Sequence, residues 1–163
     1  MTTVPVNVSD AASAAPRRSY STPFQPLSAS SNTALEAKIS QRTATRDEYQ
    51  QVQWSRRFDN RRSRGVQRFW SAERKRLLAG QDGSRSWTAE QQSRIIKRLT
   101  PQFNDQPIEG HHRYNALNYP DIADNPSYIY PATDLEHLYR WHGGNYQNET
   151  HGAPLNPLFD EEF

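Results

Sequence analysis

Glu109-Gly110-His111-His112 and two later histidines, His137 and His142, are the residues whose types and spacing invite chemistry. Neighbouring side chains on a strand point to opposite faces, so a His-His dipeptide offers two roles from one place. One imidazole can ligate a metal while the other faces elsewhere or, on an irregular strand, toward a water over the same site. An isolated histidine pair is more often structural. The balance shifts because further histidines follow on a short helical stretch. Neutral imidazoles are the commonest transition-metal ligands, and three of them leave coordination positions open for water and a phosphate, as metal-assisted hydrolysis requires. A fourth histidine, with an ordinary pKa of about 6.5, accepts a proton from water at neutral pH. The chain has no cysteine, so disulfides and thiolate sites are excluded and His, Asp and Glu are the strong ligand types that remain.

These residues need a scaffold. After His112 comes a β-prone stretch, Arg113 to Leu117, then a loop with Pro120, Asp124, Asn125 and Pro126, then a second β-prone run, Tyr128-Ile129-Tyr130. Pro131-Ala132-Thr133-Asp134 opens a helix bearing Glu136, His137 and His142. The pattern is strand, loop, strand, helix. His137 and His142 are five apart, whereas side chains share a helix face at three or four, so the helix is expected to end or distort near Trp141, where Gly143-Gly144 follows.

Upstream, Thr45 is a plausible N-cap with Asp47 and Glu48 in the first turn, and Tyr49, Val52, Trp54 and Phe58 follow at helical offsets. The apolar stripe continues past Gly65 through Val66, Phe69, Trp70, Leu77 and Leu78, with Gly80 as the stop. Thr88 and Gln91 form a capping box leading into Ile95, Ile96 and Leu99, ending before Pro101. The middle therefore reads as two or three amphipathic helices. From Met1 to residue 44, Ser, Ala, Thr and Pro dominate without a sustained period, which predicts a flexible low-complexity arm, either a bare linker or a delivery or loading segment.

Charge is segregated along the chain. Residues 1–44 carry four basic and two acidic side chains, residues 45–100 fourteen and six, and residues 101–163 two and ten. All five histidines fall in the acidic part. A solvated helical surface would mix its signs, and the middle segment does not. Arg61, Arg62, Arg64, Arg68, Arg74, Lys75, Arg76, Arg94, Lys97 and Arg98 are the candidates for gripping a phosphate backbone, a sequence-independent contact that weakens with salt. An acidic protein would suit the same patch. Only 34% of residues are hydrophobic, so the core is small and a metal can matter to stability. No stretch approaches the ~20 apolar residues of a membrane helix, and no apolar signal-peptide core follows the first basic residues.

The segment from Glu109 through His142 to Gly152, with FWSAERKRLLAG and RSWTAEQ upstream, resembles the GHH-signature branch of the HNH/endonuclease VII superfamily, nuclease toxin domains of bacterial competition systems. The resemblance implies an α+β, mostly helical fold: amphipathic helices leading into a ββα-metal (His-Me finger) unit. On this division residues 45–163 are the nuclease domain, with a basic helical part at 45–100 and the metal site within 105–152. It implies His111, His137 and His142 as ligands of one divalent ion (Zn, Ni, Mg or Mn) and His112 as the general base, with Glu109 either bonding a ligand histidine, binding the metal itself or serving only as a surface residue at the strand end. Arg113 or Arg140 would either pair with the scissile phosphate or simply neutralise its acidic neighbourhood. At Tyr128 the chain departs from the pattern, because the family carries there an Asn that orients the base; Asn125 or the Tyr128 hydroxyl would have to stand in. The resemblance further implies DNA as substrate, a cognate immunity protein, here expected to be acidic, and export without a general secretory signal into a target cell. A secretion apparatus or chaperone would engage the N-terminal arm. A same-fold RNase and a non-catalytic, metal-stabilised nucleic-acid-binding module are the competing readings.

Overall fold

In a computed structural model, Pro16 and residues 24–163 are described. Most of the expected arm, residues 1–15 and 17–23, lies outside the described residues. Within residues 24–44 the expectation of a structureless arm is corrected: Ala29–Ser40 form a helix, α1, whose N-cap Ser28 accepts from the Ser31 N–H. It buries no residue and is tied to the next helix by the ion pairs Arg56–Glu36 and Lys38–Glu48.

The spine is α2, Arg46–Leu78, capped by the Thr45 hydroxyl on the Glu48 N–H as the sequence predicts. Its 33 residues run unbroken through Gly65 and span about 50 Å. Gly80, with φ +73, reverses the chain after it. α3, Ala89–Ile96, opens with the expected reciprocal box between Thr88 and Gln91. Two apolar clusters line this spine. One joins Phe58 and Trp54 to Ala116 and Ala123; the other joins Trp87, Ile95 and Ile108 to Trp70, Leu77, Phe103 and Phe163.

Two small antiparallel pairs follow: β1, Gln102–Phe103, with β2, Gln106–Pro107, and β3, Glu109–His112, with β4, Ile129–Ala132. The strands are thus shifted from their expected places. β3 comprises the Glu-Gly-His-His residues themselves and stops where Arg113 begins. At that point the Arg113 N–H still donates to Tyr128 O, but Tyr114 then bridges His151 and the Asn115 N–H donates to Thr150 O. The ladder changes partner because Tyr128, expected on the second strand, ends a 3-10 turn, Pro126–Tyr128, and leaves β4 to start at Ile129. After β4 the chain enters the helix that carries the histidines, α4, Glu136–Trp141. Among the described residues no helix is long and apolar enough to cross a membrane.

Candidate metal centre

The spacing conflict between His137 and His142 is resolved by the kind of helix α4 is. It is a π-helix, in which the His142 N–H donates to the carbonyl of His137, five residues back, at 3.1 Å. In an α-helix five residues turn a side chain roughly 140° away from its predecessor. The wider π-turn returns residue 142 to the face of residue 137. Thr133 and Glu136 cap the start reciprocally, the Thr133 N–H donating to the Glu136 carboxylate and the Glu136 N–H to the Thr133 hydroxyl. Gly143 and Gly144, at φ +61 and +93, turn the chain away at the end.

β3 faces α4, and three imidazoles converge. Ring centroids lie 4.8 Å apart for His111–His137, 5.1 Å for His111–His142 and 5.0 Å for His137–His142. One ligand nitrogen from each lies within 4.8 Å of the others. His111 is buried and its Nε2 has no hydrogen-bond partner. Burial, reinforced by His137, His142, His112 and Arg113, pulls its pKa down to about 2, so the ring is neutral at any physiological pH. Burial also lowers His137 and His142.

Partners fix the tautomers, because a carbonyl or carboxylate oxygen can only accept. His142 donates Nδ1–H to Asn148 O at 3.0 Å, while Asn148 Nδ2 donates back to His142 O at 2.8 Å. His137 donates Nδ1–H to Glu109 Oε2 at 3.2 Å. In both rings the basic nitrogen left over is Nε2, the form a metal needs. An orphaned buried ring nitrogen within a neutral three-imidazole set fits a divalent ion. His112 is arranged differently: its Nε2–H donates to the backbone carbonyl of Ala123 at 2.9 Å, which leaves Nδ1 bare. Burial lowers its pKa, against the pull of that carbonyl.

Residues 52–133, half of the chain, match the family described as GHH signature containing HNH/Endo VII superfamily nuclease toxin. The chain belongs to that family. Among curated proteins no relative matches. The matched stretch of this GHH nuclease toxin holds most of α2, all of α3 and the Glu109–His112 strand, and ends before His137 and His142, whose convergence rests on geometry alone. The glycine of the GHH signature has a packing reason. A Cβ on Gly110 would lie 2.9 Å from Val66 Cγ1 and 3.1 Å from Ile129 Cγ2, so a larger residue would force the Val66 and Ile129 side chains to shift.

Other expected site residues are placed otherwise. Asn125 does not reach His112: its side chain caps the 3-10 turn by accepting from the Ser127 N–H at 2.9 Å. Tyr128 packs its ring edge-on against Tyr114, 5.3 Å between centroids. The orienting group is the Ala123 carbonyl. Arg113 is spent on Gly152 O, at 3.1 and 2.9 Å, and Arg140 on the carbonyls of Pro157 and Phe159. Among the basic candidates, Arg61 and Arg68 donate to the carbonyls of Pro120 and Asp124, Arg74 to Ile96 O, Arg94 to Thr100 O, and Arg76 pairs with buried Glu73. Arg64, Lys75, Lys97 and Arg98 are exposed. Arg62 lines a cleft of about 360 Å³ together with His111, His112, His137 and His142.

Sequence reasoning missed three contributors. Ala123 acts through its backbone, which no side-chain signal reveals. Tyr146, half exposed, packs edge-on against His137 and His142. Arg85 is buried and forms a bidentate pair with Glu136 at 2.6 and 2.9 Å; it also donates to Pro131 O at 3.0 Å and Phe163 O at 2.8 Å. It anchors α4 to β4.

Proposed function

We propose that this GHH-family nuclease toxin is a metal-dependent endonuclease that hydrolyses DNA with weak sequence preference and serves as an antibacterial effector. The observation that carries the reading is the buried, unpartnered Nε2 of His111 within a ring of three imidazoles, beside a fourth whose tautomer is set by a carbonyl. His111, His137 and His142 are the residues that hold the ion, and Glu109 and the Asn148 carbonyl keep two of them in the ligating tautomer. A divalent ion of zinc, nickel, magnesium or manganese supplies, when bound, Lewis-acid stabilisation of charge on a phosphate oxygen and on the leaving 3′ oxygen.

His112 is the general base. Its Nδ1 is bare and its ring neutral, so it takes the proton of a water attacking phosphorus in line. The new bond is between the water oxygen and phosphorus, the bond that breaks is between phosphorus and the 3′ oxygen, which takes a proton from solvent, and the products are a 5′ phosphate and a 3′ hydroxyl. Arg62 takes the phosphate-pairing role expected of Arg113, since it lines the cleft while Arg113 is bound to Gly152 O. Arg64, Lys75, Lys97 and Arg98, being exposed, hold the backbone of the duplex. An acidic immunity protein would cover the same basic helices. Residues 1–44 would engage a secretion apparatus or chaperone, with export from the producing cytoplasm into a target cell. Residues 45–163 form the catalytic unit.

Incubation of the purified protein with supercoiled plasmid and with total RNA, with and without chelator, tests this reading. Plasmid is nicked and linearised in the presence of metal and spared by chelator. Plasmid left intact with all four metals would sink the DNase assignment; RNA degraded in its place indicates the same-fold RNase. A protein that binds metal and cuts neither is the non-catalytic module.

A further inference from the structure

A glycine inside a long helix is disfavoured relative to alanine, so its presence calls for a packing reason. At Gly65, in the buried middle of α2, an added Cβ would lie 2.2 Å from Ala123 O, 3.2 Å from Ala123 C and 3.3 Å from Asp124 Cα. All three are backbone atoms. The helix therefore touches the 120–124 loop with main chain against main chain, and the atom in closest approach is the carbonyl oxygen that accepts the His112 Nε2–H.

The neighbouring positions on the same helix face reinforce the contact. Arg61 and Arg68 stand four residues before and three after Gly65, and such positions share a face. Arg61 donates to Pro120 O at 3.3 Å; Arg68 donates to Asp124 O at 3.2 Å and stands 3.6 Å from the Asp124 carboxylate. Two guanidiniums thus hold the loop on either side of Ala123, itself 1% exposed, and the glycine admits the carbonyl between them.

We infer that Gly65, with Arg61 and Arg68, is a positioning device for His112: the bare Cα of α2 lets the Ala123 carbonyl reach the imidazole and fix its tautomer. The catalytic consequence rests on the reading of His112 as the base; the structural one does not. A larger residue at 65 displaces that oxygen, the His112 ring loses its acceptor, and its orientation and tautomer relax while the three-imidazole cluster stays as it was.

Long-range proton–nitrogen spectra of the full chain labelled with ¹⁵N-histidine read each ring's tautomer. In the unsubstituted protein His112 is protonated at Nε2 and bare at Nδ1; the opposite tautomer overturns the inference. Gly65→Ala is expected to give a mixed His112 tautomer with a fast-exchanging ring proton, while the His137 and His142 signals and their response to added Zn²⁺ do not change. Plasmid cleavage by this variant falls about 100-fold in kcat, the scale of an ångström-sized misplacement, with KM little changed. An unaltered His112 ring in Gly65→Ala overturns the inference whatever the activity. Should Gly65→Ala fail to fold, the double variant Arg61→Met/Arg68→Met keeps the glycine and frees the loop. It is expected to move the same His112 signals by a smaller amount, and unchanged signals there also overturn the inference. Full cleavage by His112→Ala would remove the base assignment instead, leaving the ring spectra to decide the positioning claim.

Discussion

Arg85→Met tests how the metal helix is anchored. The methionine fills most of the volume of the arginine stem, so the loss is electrostatic rather than a cavity. The Glu136 carboxylate, fully buried, keeps the N–H groups of Thr133 and Glu162 but loses both guanidinium bonds, and the carbonyls of Pro131 and Phe163 lose a donor each. Removing one partner of a buried pair costs about 3–5 kcal/mol, because the remaining charge is left uncompensated. The two carbonyl losses belong to the same network and do not simply add. At roughly 2–4 °C per kcal/mol for a chain of this size, the melting temperature falls by about 10 °C. Guanidinium titration at pH 7, followed by tryptophan fluorescence, measures the change. Arg85→Met/Glu136→Gln removes the orphaned charge and keeps an acceptor for one of the two N–H groups, which bond opposite carboxylate oxygens, so it should be more stable than Arg85→Met alone, with a coupling of about 1–3 kcal/mol. A loss below about 1 kcal/mol in the single variant, within the range of an exposed pair, would refute the reasoning.

Three further outcomes are expected. Zn²⁺ at a hundred times its dissociation constant stabilises the fold by about 2.7 kcal/mol, seen as a rise in melting temperature that His111→Ala, His137→Ala and His142→Ala abolish and His112→Ala retains. Glu73 is fully buried; burial raises its pKa, but the Ser84 N–H, the Trp87 indole and Arg76 outweigh that and hold it below the ordinary Glu range. Its contribution is therefore complete above the unfolded pKa and lost as pH falls through the folded one, so urea midpoints taken in steps below about pH 5 should drop more steeply for the native chain than for Glu73→Gln. Plasmid binding should weaken linearly in log–log terms with salt, and each of Arg64→Ala, Lys75→Ala and Arg98→Ala should lower the slope by about 1; a slope unchanged in all three places the nucleic acid elsewhere.

Much of the scaffold was legible because it is locally encoded. Thr45 over Glu48 and Thr88 with Gln91 are caps whose donors and acceptors lie three residues apart, and both form as read. The histidines were identifiable by type, since few side chains ligate metals and this chain has no cysteine. β-propensity misplaced the strands by a few residues, because pairing depends on where the opposite strand begins, and the Pro126–Tyr128 turn delays it to Ile129. The charge pattern named the basic helices but not the duties of each arginine: Arg61, Arg68 and Arg74 end on carbonyls distant enough in sequence that only folding brings them near.

What the sequence determined by itself is the inventory: the GHH strand, two further imidazoles, a basic spine and the family to which they belong. Tertiary structure decided their use. The five-residue spacing of His137 and His142 becomes a shared face only because α4 winds as a π-helix between the Thr133–Glu136 cap and the Gly143–Gly144 turn. His112 is oriented by a main-chain oxygen, and a main-chain oxygen is present at every residue, so composition carries no trace of which one is recruited. That choice is made by the close approach of α2 at Gly65, a distance that exists only once the chain has folded.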